Sequence, residues 1–143
     1  MIEQFFAQTD FFSIKELVFV LNLVLSAVAG FFIGYERESR GKDAGISTHT
    51  LVIMGSMLFT YLSMFDPESP SRIAAQIVTG IGFLGAGLII KDGISVRNLT
   101  TAASLWFAAA IGMAFGFGYY TIGILATLAG VIIPRIPHIK MKE

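Results

Sequence analysis

Hydrophobic residues run along this chain in long unbroken blocks, and polar residues fall between the blocks rather than alternating with them. Five blocks stand out: about Ile14 to Tyr35, Thr48 to Phe65, Ile73 to Ile90, Leu99 to Phe117 and Tyr119 to Ile133. A bilayer span needs roughly 20 mostly apolar residues, and blocks near that length predict membrane helices. In hydrocarbon every backbone polar group must be satisfied internally, which a helix achieves within its own segment. Chain breakers lie between the blocks. Gly41 and Gly45 follow the first, Pro67 and Pro70 the second, and Lys91-Asp92-Gly93 the third; Gly116 to Tyr120 make a tight fourth junction, and Pro134 and Pro137 stop the fifth. The expected architecture is an all-α integral membrane bundle of about five transmembrane helices. It forms a single domain over residues 1–143, with residues 1–13 lying on the outer face and residues 134–143 forming a cytoplasmic tail.

Positive charge orients the bundle. Arg37, Arg40, Lys42, Lys91, Arg97, Arg135, Lys140 and Lys142 fall on one side and only Lys15 and Arg72 on the other. The positive-inside rule then puts the N-terminus outside and the C-terminus in the cytoplasm. Composition agrees: 55% of the residues are hydrophobic and 14% charged, where a soluble domain carries about 25% charged residues. There is no cysteine, so disulfides and thiolate sites are excluded, and His49 and His138 lack zinc-ligand spacing. No metal site or cofactor is expected. The net charge of zero offers no field to attract nucleic acid. The N-terminus lacks a basic region and a small-residue cleavage site, so the first block is expected to stay in the mature chain.

The third block contains a G-x-G-x-x-G, formed by Gly80, Gly82 and Gly85. A dinucleotide site needs those glycines where a strand turns into a helix, with an acidic residue about 20 positions on. Here they lie inside an apolar block, and that later region holds Thr100, Thr101 and Trp106. They fit a helix better. At about 100° per residue, Gln76, Gly80 and Gly87 share one face, with Ala75, Gly82, Gly85 and Ala86 roughly opposite. Two smooth faces predict a central helix that neighbours approach closely, with Gln76 as a polar group at depth. Gly30 and Gly34 form a GxxxG pair suited to a helix–helix or dimer contact.

The densest polar stretch runs from Gly34 to Thr50. If the first helix continues past Tyr35, Glu36 and Arg40 stand at i,i+4, as do Glu38 and Lys42, in the favourable acid-first order. Two readings stand: a solvated, self-paired helix end, or a group that pairs with another helix or with a ligand at the membrane boundary, because Glu36 and Arg37 follow the apolar block directly. Ser47 is a candidate N-cap for the second helix, and the Ser47–Thr50 corner, with Thr48 and His49 inside it, is a candidate anion site. Thr100, Thr101 and Ser104 open the fourth block on one small, partly polar stripe that either lines an interior shared with Gln76 or bonds back to its own helix. Asp66 to Arg72 reads either as a turn begun by Asp66-Pro67 with Arg72 held at the interface, or as carboxylates that bind a hard cation loosely. No spacing supports a catalytic dyad or triad, so no enzyme activity is expected.

Taken together, "GYERESRGKDAGISTHTLVIMGS", "SRIAAQIVTGIGFLGAGLIIKDG" and "VRNLTTAASLWFAAAIGMAFG" resemble the signature blocks of the MgtC/SapB membrane-protein family, over roughly Gly30 to Gly118. Within it the chain looks closer to the YhiD-like members tied to acid stress than to the MgtC type. The matching positions are Glu36 to Glu38, Thr48 to Thr50, Ala74 to Ile77, Phe83 to Gly87 and Thr100 to Trp106. The resemblance implies a non-enzymatic bacterial inner-membrane protein, implicated in adaptation to low magnesium, acid or intracellular stress and in virulence. It implies action on membrane partners, including the F-type ATP synthase, and homo-oligomers, with a dimer favoured. The rival expectation is a small transporter or channel for a cation, proton or polyamine, with Gln76, Thr100, Thr101, Ser104 and the Glu36/Arg37/Arg40 cluster along its path.

Overall fold

The computed structural model describes residues 14–66, 68–92 and 94–136. The expected outer-face segment, His138 and most of the expected tail lie outside the described residues. Among the described residues five helices follow one another: α1 (Ile14–Ser39), α2 (Ile46–Ser63), α3 (Arg72–Leu88), α4 (Leu99–Gly116) and α5 (Tyr120–Ile132), the last continued by one 3₁₀ turn over Ile133–Arg135. Each expected block is a helix. Their ends shift by a few residues, and α1 runs four residues past Tyr35. Three helices, α1, α2 and α4, are long and apolar enough to cross a membrane; α3 and α5 are shorter, at 17 and 13 residues. Between α3 and α4 the chain forms a small antiparallel hairpin, β1 (Ile90–Asp92) with β2 (Ser95–Arg97), pairing Ile90 with Arg97 and Lys91 with Val96. The block pattern gave no sign of it.

The bundle has its polarity inside out. The exposed flank of α1 carries Leu17, Val20, Val24, Val28, Phe31 and Phe32, while its buried face carries Asn22, Ser26, Glu36 and Arg37. A water-soluble helix does the reverse. An apolar exterior around a partly polar interior is what a hydrocarbon solvent selects.

The core lies among α1, α2 and α4. Ala29 and Ile33 of α1, Ile53 and Met57 of α2, and Ala108, Ile111 and Phe115 of α4 form one buried cluster. Glycines bring these backbones close. A methyl group at Gly34 would stand 2.8 Å from the carbonyl oxygen of Gly45, and one at Gly112 would stand 3.0 Å from the carbonyl carbon of Ile53. Gly30 and Gly116 make the same kind of approach, to Thr50 and Met57. The Gly30/Gly34 pair is thus filled by α2 of the same chain.

The central position belongs to α4, which touches all four other helices. This corrects the expectation for α3, which buries only Ala74, Ile81 and Gly85. Gly80, Gly82 and Gly87 have open space where a side chain would go, and Gly85 makes only an ordinary contact of 3.6 Å to the Cβ of Ala102. Gln76 is exposed beside the α2–α3 groove rather than held at depth. The reason is geometric: a helix smooth on two sides suits close neighbours but does not supply them, and Ile81 with Gly85 is enough to seat α3 on Leu105, Ala109 and Ala102 of α4.

Candidate functional site

The end of the bundle where α1 finishes and α2 and α4 begin gathers the buried charge. Glu36 and Arg37 are 1% and 2% exposed, His49 is fully buried, and Thr101 is 1% exposed. Three helices supply these groups. α1 carries Glu36 and Arg37 onto its inner face because they continue the stripe of Ala29, Ile33 and Gly34 at helical spacing. The Gly34–Ile46 approach brings the start of α2, and so His49, against them. α4 presents Thr101 and Ser104 from its first turns.

The hydrogen bonds run across these elements. Arg37 donates from Nη2 to Thr101 Oγ1 at 3.0 Å, tying α1 to α4. His49 bonds the carbonyl of Gly45 through Nδ1 at 3.0 Å and meets Ser104 Oγ through Nε2 at 3.1 Å, tying α2 to α4. Ser104 Oγ also lies 2.8 Å from the carbonyl of Thr101. A carbonyl only accepts, so His49 carries a proton on Nδ1. Ser104 has one proton for two contacts. With a neutral ring it gives that proton to Nε2 and leaves the Thr101 carbonyl; with an imidazolium it accepts from Nε2 and serves both.

Glu36 pairs with Arg40 at 3.3 Å through Oε1, and Arg40 Nη1 also donates to the carbonyl of Pro134, tying the end of α1 to the turn after α5. Glu36 Oε2 and Arg37 Nε are buried with no hydrogen-bond partner. Buried charges of this kind are costly unless the surroundings fix them or a ligand completes them.

Other expected site residues lie apart. Glu38 accepts from the backbone N–H of Ile46 at 3.0 Å, capping α2 instead of pairing with Lys42. Gly45 is the N-cap, so Ser47 is the second residue of α2 rather than its cap, and Thr48 is exposed. Thr100 is exposed and Ser104 half-buried; both line a cleft between α1, α4 and α5, whereas Gln76 lines the separate groove between α2 and α3. The interior expected to join Gln76 to the Thr/Ser stripe is therefore two separate surfaces. Asn22, Ser26 and Thr60 are buried polar groups absent from the expected set, and oxygens of all three lack partners. Asn22 and Ser26 sit at i,i+4 within the first apolar block, a spacing that marks one face. Among the described residues no cluster of three His, Asp or Glu side chains could hold a metal ion.

At the opposite end of α2, Asp66 accepts from the backbone N–H groups of Glu68 and Ser69 and pairs with Arg72 at 3.0 Å, which makes the expected turn. The Arg72 hydrogen bond, with those backbone donors, holds the Asp66 carboxyl below its usual value.

Fold and site together define a helical membrane protein with a packed, charged end. The chain belongs to the MgtC family, whose model matches residues 23–138. It is 45% identical over 130 residues to YhiD of Escherichia coli strain K12, whose name proposes magnesium transport; the match covers 84% of this chain and 60% of that protein. It is 48% identical over 111 residues to MgtC of Salmonella typhimurium strain 14028s, covering 77% of this chain and 48% of that protein. The chain thus spans half to three-fifths of the length of these relatives, and it matches the two types about equally. No solved structure matches it.

Proposed function

We propose that this chain is a non-enzymatic regulatory protein of the bacterial inner membrane, acting at the Arg37 end on membrane partners during low-magnesium or acid stress. The observation that supports this reading is that Arg37 is buried and hydrogen-bonded across to Thr101 of α4, which fixes this end of the bundle. Positive charge supports placing this end at the cytoplasmic face, with the N-terminus outside. The family resemblance suggests the partners: other membrane proteins such as the F-type ATP synthase, and a second copy of the chain.

The second reading, a transporter, draws on the name of YhiD and on the cleft beside Arg37. The charge of that cleft weighs against a magnesium path. Arg37, Arg40 and Lys42 line it, whereas Mg²⁺ is bound through carboxylates, phosphates and waters. Purified protein in liposomes tests both readings, with Mg²⁺, proton and polyamine flux measured in turn. The regulatory reading expects no flux above empty vesicles. Flux that disappears in Arg37→Ala would replace it with transport.

A further inference from the structure

A cleft of about 400 Å³ opens between α1, α4 and α5 beside the buried network. One end is polar, formed by Arg37, Arg40, Lys42 and the hydroxyl of Thr100. The other end is apolar, formed by Ile33 and Phe107, which close together over Gly130. No carboxylate lines it among the described residues. Glu36, the nearest in sequence, is turned to Arg40, while Glu38 is held by the α2 backbone and Asp43 by Asn98 at 2.6 Å. Three cations in a wall made partly of hydrocarbon are therefore offset by one neighbouring carboxylate, Glu36, which pairs with Arg40 and does not line the cleft. Arg37 is 2% exposed, and its Nε has no partner. α4 adds its positive N-terminal end, which no side chain of its own caps.

We propose that this cleft binds a phosphate group carried on an apolar chain, in the form of an anionic phospholipid from the adjoining leaflet. The phosphate answers the unbalanced cations, since guanidinium and ammonium groups are the usual donors to phosphate oxygens. The acyl chain answers the apolar end, which a free phosphate would leave empty. The site lies beside the end of α1 and the start of α4, and the ends of membrane-spanning helices are where lipid headgroups meet a bundle. This proposal rests on the reading that the Arg37 end is the working end, and it names the ligand there.

The test uses the purified full-length protein and native mass spectrometry. Dioctanoyl phosphatidylglycerol, dioctanoyl phosphatidylcholine and inorganic phosphate are titrated separately and in competition. Phosphatidylglycerol should bind in preference to phosphatidylcholine. Lys42→Ala should weaken it about fivefold, the effect of one cation at a membrane surface. Ala103→Phe fills the cleft from an exposed position and should weaken it at least as much. Arg72→Ala, at the start of α3 on the opposite end of the bundle, should change nothing. Lys42 and Ala103 are both exposed, so these variants are expected to fold, and melting curves verify that. Equal binding of the two lipids, or no effect of Lys42→Ala and Ala103→Phe, overturns the proposal. Displacement of phosphatidylglycerol by inorganic phosphate at equal concentration also overturns it, in favour of a soluble phosphate ligand. Complementation of a deletion strain separates the two levels. Loss of lipid selectivity with Arg37 still required for growth sinks the ligand alone; selective lipid binding with Arg37 dispensable sinks the functional reading.

Discussion

Along α1 and α4, glycines lie where a neighbouring backbone passes; along α3, three of them face open space. Gly34 and Gly112 let α2 close on α1 and on α4, where His49 meets Ser104 and Arg37 meets Thr101. α3 has the richer run of glycines and rests on α4 through Ile81 and Gly85, while Ala74, its third buried residue, bonds Ser63 of α2. Glycine content is thus a poor guide to where a membrane bundle is tight. What matters is the surface opposite each glycine, and the tight α1–α2–α4 unit is the one that holds the charged end.

The contrast can be broken most forcefully at Arg37. Truncating one member of a buried, hydrogen-bonded charge group typically costs about 3–5 kcal/mol. Arg37→Ala should therefore lower thermal stability markedly, read as the detergent melting temperature, while Arg37→Lys should recover only part because it loses the planar guanidinium. Next comes the backbone approach. Gly112→Leu should destabilise by the upper part of the ~1–3 kcal/mol seen for overpacking, because the obstacle is main chain and cannot swing away. Its expected signature is poor accumulation and a broadened elution profile.

The α3 counterpart sharpens the comparison. Gly82→Leu, on an open face, should change stability by no more than about 0.5 kcal/mol, and a large loss would mean that a partner covers α3. The smallest effect is expected at Asp66. Its carboxyl is held low by Arg72, so any stabilisation is fully present above the ordinary carboxylate range and is lost as pH falls through the lowered folded value. The pair is exposed, so Asp66→Asn should leave the neutral-pH melting temperature nearly unchanged and remove only a small acid-side slope.

The helices were legible in the sequence because a bilayer imposes block lengths that no other solvent requires, so Ile14 to Tyr35 and Leu99 to Phe117 could be read as spans before any contact was known. Glu36 and Arg37 were legible as special because they touch the apolar block. The face of each helix was harder. Apolar side chains cover both the lipid side and the protein side, so hydropathy does not separate them, and α3 was read as central when it is peripheral. Gln76 was misplaced with it. Asn22 and Ser26 left a readable trace in their i,i+4 spacing. The hairpin at Ile90 to Arg97 left none, since three-residue strands are too short to show an alternation.

The central claim is that the protein works through the buried Arg37 group and not through the glycine-rich face of α3. Its most direct test is growth of a deletion strain at low magnesium, complemented in parallel by Arg37→Lys, Arg37→Ala and Gly82→Leu, with membrane protein levels matched by immunoblot. The account predicts full rescue by Gly82→Leu, partial rescue by Arg37→Lys and none by Arg37→Ala. Full rescue by Arg37→Ala at matched levels would contradict it.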